Sequence, residues 1–170
     1  MIRPSNFGDI YVDYDGVLVN LLRGFRDFLG RPWEDSYWQI AKKDKKKMVS
    51  EYPHFWSTLP TTGDYNILWD FVKGFSPHIL TACAEWDEKN SKEGKWEWNV
   101  KHTQVPLESF HCVPRENKQL YAMGENGKPN ILIDDYKKNI QEWTAAGGIG
   151  IMHTSAINTI ARLKNLGFYP

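Results

Sequence analysis

Ile10-Tyr11-Val12-Asp13-Tyr14-Asp15-Gly16-Val17-Leu18-Val19 is an apolar run that ends in two carboxylates one residue apart, with a glycine directly behind them. In an extended segment alternate side chains point the same way, so Asp13 and Asp15 share one side. Gly16 lets the chain turn sharply beyond them. Two acids at the carboxyl end of a strand repel each other unless a cation or a reaction uses them. A second run of the same kind, Asn130-Ile131-Leu132-Ile133-Asp134-Asp135, lies far along the chain. Two acid-tipped strands point to a shared metal site, with Asp13 and Asp134 meeting at the carboxyl edge of one sheet.

Continuous apolar stretches predict five buried strands, at 10–13, 78–82, 109–113, 130–133 and 149–152. The segments between them carry helical spacing of apolar residues at 19–29, 64–73, 118–123, 136–146 and 155–166. Asp64 is a candidate N-cap, and Gly30-Arg31-Pro32 and Gly147-Gly148 are candidate helix stops. Residues 85–94 read as a charged, mobile loop. Strands alternating with helices argue for a parallel sheet, and unbroken apolarity for strands covered on both faces. Residues 18–65 contain no good strand and are rich in aromatics, which predicts a helical insertion standing over the strand ends. The expected fold is therefore α/β: a three-layer, Rossmann-like parallel sheet. Its core runs over about 1–17 and 66–170, with a small helical cap over about 18–65.

The chain of 170 residues fits one domain, and its formal net charge is zero. No whole-molecule field favours nucleic acid or membrane, and no stable nucleic-acid partner is expected. No apolar stretch is long enough to span a bilayer, and the N-terminus lacks the apolar middle of a signal peptide. A soluble, cytoplasmic protein is expected. Cys83 and Cys112 have no metal-type spacing and lie in or beside apolar runs. They read as free thiols in a reducing compartment, with a disulfide as the alternative. Lys42-Lys43-Asp44-Lys45-Lys46-Lys47 reads as a solvated face. No histidine shows ligand spacing.

Ligands of open parallel sheets bind outside the carboxyl ends of the strands. Those ends carry Asp13 and Asp15, then Thr81, then Asp134 and Asp135. Clustered acids with a hydroxyl suit Mg²⁺ and a phosphate group, since hard oxygen ligands without His or Cys select Mg²⁺ over zinc.

At these residues the sequence resembles the haloacid dehalogenase-like phosphatase superfamily, over about residues 9 to 152. Asp13-Tyr14-Asp15-Gly16-Val17 is similar to its first motif, Ile79-Leu80-Thr81 to the second, and Ile133-Asp134-Asp135 to the fourth. Lys118 is the best match to the third, with Lys101 as the alternative. His54-Phe55-Trp56-Ser57-Thr58-Leu59-Pro60, the stretch from Ile131 to Asn139, and Trp143 followed by Gly147-Gly148 resemble the 5′(3′)-deoxyribonucleotidase-like branch. The resemblance implies that Asp13 is the nucleophile and Asp15 the acid/base. It implies that Thr81 and Lys118 hold phosphoryl oxygens. Mg²⁺ would be held by Asp13, the Asp15 backbone carbonyl and Asp134, with Asp135 on the metal or on its water.

The implied function is Mg²⁺-dependent hydrolysis of a small phosphomonoester, best a deoxynucleoside monophosphate, through an aspartyl-phosphate. Phe55 and Trp56 are either core between cap and body or a wall on which a nucleobase stacks. Other readings are a phosphatase for another metabolite or a nucleic-acid terminal phosphate, or a binding protein that keeps the fold without turnover. An acid at position 15 favours phosphate esters over halide displacement, because halide leaves unprotonated.

Overall fold

The computed structural model describes residues 1–29, 42–52 and 54–170. Its strands are β1 (Ile10–Val12), β2 (His78–Ala82), β3 (Phe110–Val113), β4 (Ile131–Asp134) and β5 (Ile149–Met152). They form one sheet in the order β3-β2-β1-β4-β5, every pair parallel. The chain winds outward from β1 to β3, then crosses back to lay β4 on the other side of β1. The switch point of this topology, where such sheets hold ligands, is thus the gap beyond β1 and β4. Val12 pairs with Ile79 on one side and Ile133 on the other, so the ends of these three strands are level.

The strands are covered on both faces, as their unbroken apolarity requires. On one face Ile10, Val12, Ile79, Ile131, Ile133 and Ile151 share a core with α3 (Tyr65–Val72), α4 (Glu88–Lys101) and α6 (Ala156–Asn165). On the other, Tyr11, Leu80 and Leu132 pack against Ala122 and against Trp143 of α5 (Lys137–Ala145). Each fully buried Ile or Leu contributes about 1.5–3 kcal/mol. Gly147 ends α5 with a φ of 95°. Gly148 lies so close to Trp143 that a Cβ there would sit 2.2 Å from the indole nitrogen. Between β1 and α3 run α1 (Leu21–Leu29), α2 (Lys42–Ser50) and a 3₁₀ turn at Trp56–Thr58, with no strand among the described residues.

All five expected strands are present, each within one residue of its expected ends. Four expectations are corrected. Residues 85–94 are not a loop: most of them belong to α4, the longest helix described. Its buried positions, Ser91, Lys95, Trp98 and Asn99, have helical spacing but are mostly polar, so no apolar stripe announces them. Asp64 precedes α3 but makes no cap bond to it; its carboxylate instead accepts the Ala156 N–H at the start of α6. Cys83 and Cys112, with Cα atoms 5.5 Å apart on neighbouring strands, are paired as a disulfide rather than free. The reducing-compartment reading thereby loses its cysteine support. The helix expected at 118–123 is a 3₁₀ helix, Arg115–Tyr121. The Gly30-Arg31-Pro32 stop lies outside the described residues, as do the side chains of Lys42 and Lys43 in the basic run. Among the described residues no helix is long and apolar enough to cross a membrane.

Candidate active site

Asp13 follows β1 directly, and Asp134 is the last residue of the neighbouring β4. The two strands are hydrogen-bonded, and Asp13 N–H continues the ladder to Ile133 O at 3.0 Å. Parallel pairing therefore sets both carboxylates at one edge, as expected from the sequence. Oxygens of Asp13, Asp134 and Asp135 lie within 4.8 Å of one another. Gly16 makes room for the third: its φ is 80°, and a Cβ there would collide with the Asp135 carboxylate at 1.9 Å. The glycine serves both the turn and the close approach of the acid.

Two lysines organise the carboxylates. Lys118, buried in its 3₁₀ helix, places Nζ 2.9 Å from Asp13 Oδ2 and 2.8 Å from Asp134 Oδ2. Asn139 donates to the same Asp134 oxygen at 2.9 Å, and Tyr136 N–H donates to Asp134 Oδ1 at 2.8 Å. Arg115 ties the 3₁₀ helix to α5 through Glu142 and Asn139. Lys101, the alternative for this role, is exposed at the end of α4.

The second lysine, Lys95, was not among the residues singled out from the sequence. Its Nζ donates to Asp15 Oδ2 at 2.6 Å, Thr81 Oγ1 at 2.9 Å and Ala82 O at 2.8 Å. All three ammonium protons are thereby used. Lys95 is buried like Thr81, so one cation bonds both Asp15 and the expected phosphate-holding hydroxyl. The spacing Ser91, Lys95, Trp98, Asn99 was its only signal in the sequence.

The structure thus gathers Asp13, Asp15, Thr81, Lys118, Asp134 and Asp135 at the switch point. The Asp15 carboxylate lies with Lys95, outside the three-acid group. Its Oδ1 is buried and has no hydrogen-bond partner among the described residues. Phe55 is buried, its ring 4.7 Å from Phe25 and 5.2 Å from Trp56. Trp56 is also buried, but its ring centre lies 5.6 Å from Lys95 Nζ, and its indole N–H donates to Asp87. Trp56 therefore borders the site, and Phe55 stands behind it.

Four carboxylates face two ammonium groups, so the fully ionised cluster carries two excess negative charges. Burial pushes the Asp13 carboxyl well up from its usual value; Lys118 pulls it down, while Asp134 and Asp15 add to the rise. Burial lowers the Lys118 ammonium, but Asp13 and Asp134 outweigh this and raise it. Asp135 is exposed as a residue, yet its carboxyl is pushed up to about 6, first by desolvation and then by Asp134 and Asp15. Three hard oxygen donors with excess negative charge fit a divalent cation such as Mg²⁺.

The Asp135 shift makes a prediction. A carboxyl with a raised pKa binds its proton more tightly in the folded chain than in the unfolded one. Its stabilising effect is full below pH about 4 and is lost as pH rises to about 6. In the metal-free protein, Asp135→Asn should therefore gain on wild type in thermal midpoint between pH 4 and 7. Parallel curves would show that Asp135 is not destabilised by its neighbours.

No family model matches the chain, and no curated protein matches it. Solved structures do. A hydrolase from Streptococcus pneumoniae TIGR4 superposes with a TM-score of 0.56 at 13% identity, covering 94% of this chain and 99% of that one. A HAD-superfamily hydrolase of subfamily IA from Geobacter sulfurreducens PCA gives 0.53 at 13% identity, covering 88% of each chain. A HAD family enzyme from Bacteroides thetaiotaomicron gives 0.50 at 12% identity, with 89% and 95% covered. Identities this low speak for architecture alone, and in architecture the chain has the fold of the haloacid dehalogenase-like hydrolases.

Proposed function

We propose that the chain is a Mg²⁺-dependent phosphomonoester hydrolase working through an aspartyl-phosphate on Asp13, with deoxynucleoside monophosphates as its best substrates. The observation that carries this reading is the convergence of Asp13, Asp134 and Asp135 with two buried lysines and Thr81 beyond β1 and β4. Asp13, Asp134 and Asp135 would hold the cation. When bound, it would neutralise the excess charge, keep Asp13 ionised and withdraw charge from the phosphoryl group.

The residues divide the work as follows. A phosphate dianion enters beside the Thr81 hydroxyl and the Lys95 and Lys118 ammonium groups, and the two positive charges offset the carboxylates. An Asp13 oxygen attacks phosphorus while the bond to the ester oxygen breaks. Asp15 enters the step protonated on Oδ1, the oxygen left without a partner when Lys95 takes Oδ2, having taken that proton from water, and gives it to the leaving oxygen. Asp15, now ionised, takes a proton from water. That water attacks phosphorus, the bond to Asp13 breaks, and inorganic phosphate leaves.

The segment from α1 to the Trp56–Thr58 turn serves as the cap. The body handles the phosphate, so choice among substrates falls to what borders it. Trp56, with its ring centre 5.6 Å from Lys95 Nζ, is the candidate wall for a base. Stacking is worth about 1–3 kcal/mol per base. Trp56→Ala should therefore raise KM for a deoxynucleoside monophosphate about tenfold, while p-nitrophenyl phosphate is turned over much as before. Phe55→Ala should act in the same direction but less. Proportional loss on both substrates would assign the rings to the core alone. The first test of the whole reading is a phosphate-release screen over nucleoside monophosphates and sugar phosphates, with Mg²⁺ and with chelator. Release that is absent, or indifferent to chelator, counts against it.

A further inference from the structure

Tyr14 lies between the two acids of the first motif, and side-chain alternation sends it away from them. Its ring is fully buried, 4.9 Å from that of Trp98. Its hydroxyl meets Thr103 Oγ1 at 2.9 Å. Thr103 Oγ1 and Asn99 Oδ1 lie 2.6 Å apart, and the Tyr14 hydroxyl also lies 3.5 Å from Asn99 Oδ1, so the three side chains form one network. Asn99 closes the network on Val105, donating to its carbonyl at 2.9 Å and accepting its N–H at 3.2 Å. Among the described residues this buried chain leaves no side-chain polar atom unpaired.

Asn99 sits four residues after Lys95 on α4, on the same helix face. The segment from Asp13 to Asp15 therefore holds α4 at two points. Asp15 grips Lys95 directly, and Tyr14 grips the next turn through Thr103 and Asn99. Further polar anchors hold α4 elsewhere: Trp56 donates to Asp87, Trp98 to Leu59 O, and Ala84 N–H to Ser91 Oγ, while Lys95 itself donates to Thr81 and Ala82 of β2. Apolar residues at 14, 99 and 103 would fill the same space without the risk of unpaired groups. A fully satisfied polar chain in the interior instead fixes one arrangement.

We infer that Tyr14, acting through Thr103 and Asn99, is a positioning residue that sets where Lys95 meets Asp15 and Thr81. The inference rests on the hydrolase reading for its catalytic consequence, but not for its geometry. A helix transmits a shift at Asn99 to Lys95 one turn away, and misplacement of a charged group by about 1 Å can cost up to about a hundredfold in rate.

A double-mutant cycle tests it. Tyr14→Phe removes the hydroxyl alone, and Lys95→Met removes the group it positions, with Lys95→Gln in reserve should the Met variant fail to fold. Two readouts run in parallel: kcat on p-nitrophenyl phosphate with Mg²⁺, and affinity for inorganic phosphate by calorimetry. Tyr14→Phe should lower kcat about tenfold and weaken phosphate in the Lys95 background, and do neither once Lys95 is gone. Thr103→Val should repeat the pattern. Equal losses in both backgrounds, or no loss in either, would overturn the inference and leave Tyr14 a packing residue. If the wild type hydrolyses no ester, the hydrolase reading fails, and the phosphate-affinity cycle decides the positioning role alone. Phosphate binding indifferent to Lys95 then overturns it.

Discussion

Asp13→Asn should give a folded protein that releases phosphate from no ester, with turnover lower by about 10⁴-fold or more. The amide keeps an oxygen for the Tyr14 N–H, which Asp13 Oδ1 accepts at 2.8 Å. It cannot form an aspartyl-phosphate. The substitution removes a buried charge, but it also breaks the contact of Lys118 Nζ with Asp13 Oδ2 at 2.9 Å, where the amide would present Nδ2, a donor facing a donor. Burial, Asp134 and Asp15 together push the Asp13 carboxyl up, with only partial relief from Lys118. The folded chain therefore holds that proton more tightly than the unfolded chain, and ionising the group at neutral pH opposes folding. A variant that retains a tenth of the activity would place the nucleophile elsewhere.

Lys118→Met carries the largest expected loss of stability. Its ammonium sits between two buried carboxylates, and removing one member of a buried ion group costs about 3–5 kcal/mol. Asp13 and Asp134 would then face each other with only neutral donors, Asn139 and Tyr136 N–H, nearby. Protonating Asp13, whose carboxyl burial and Asp134 already push up, removes the repulsion, so the deficit should shrink as pH falls from 7 to 5. Urea unfolding at the two pH values measures it. A deficit that is small, or that grows on acidification, would mean that Lys118 does not neutralise the pair. Turnover should vanish with it, since the phosphate dianion would meet the acids without this charge.

The sheet was legible because burial on both faces leaves an unbroken apolar run, and the runs of β1, β2 and β4 end at or beside Asp13, Thr81 and Asp134. Asp13, Thr81 and Asp134 needed only parallel pairing to come level. Lys118 was legible through motif order, though Lys101 competed with it. Lys95 was not, because it lies on a helix whose buried face is Ser91, Lys95, Trp98 and Asn99. Periodicity arguments look for apolar stripes, and a stripe that is buried for its hydrogen bonds has none. The same blindness turned α4 into a loop. The cysteine pair escaped because Cys83 and Cys112 are far apart in sequence, and only the β2–β3 register makes them neighbours. Phe55 and Trp56 were singled out together, and their rings do meet edge to face at 5.2 Å, with Trp56 beside Lys95 and Phe55 packed against Phe25.

The most direct test is a rapid acid quench with ³²P-labelled deoxynucleoside monophosphate and Mg²⁺, followed by mapping of the labelled peptide. Label should appear on the peptide that contains Asp13, be released by hydroxylamine as an acyl phosphate is, and be absent from Asp13→Asn. Phosphate release with no labelled protein at any time, or label on a peptide lacking Asp13, would contradict the aspartyl-phosphate mechanism.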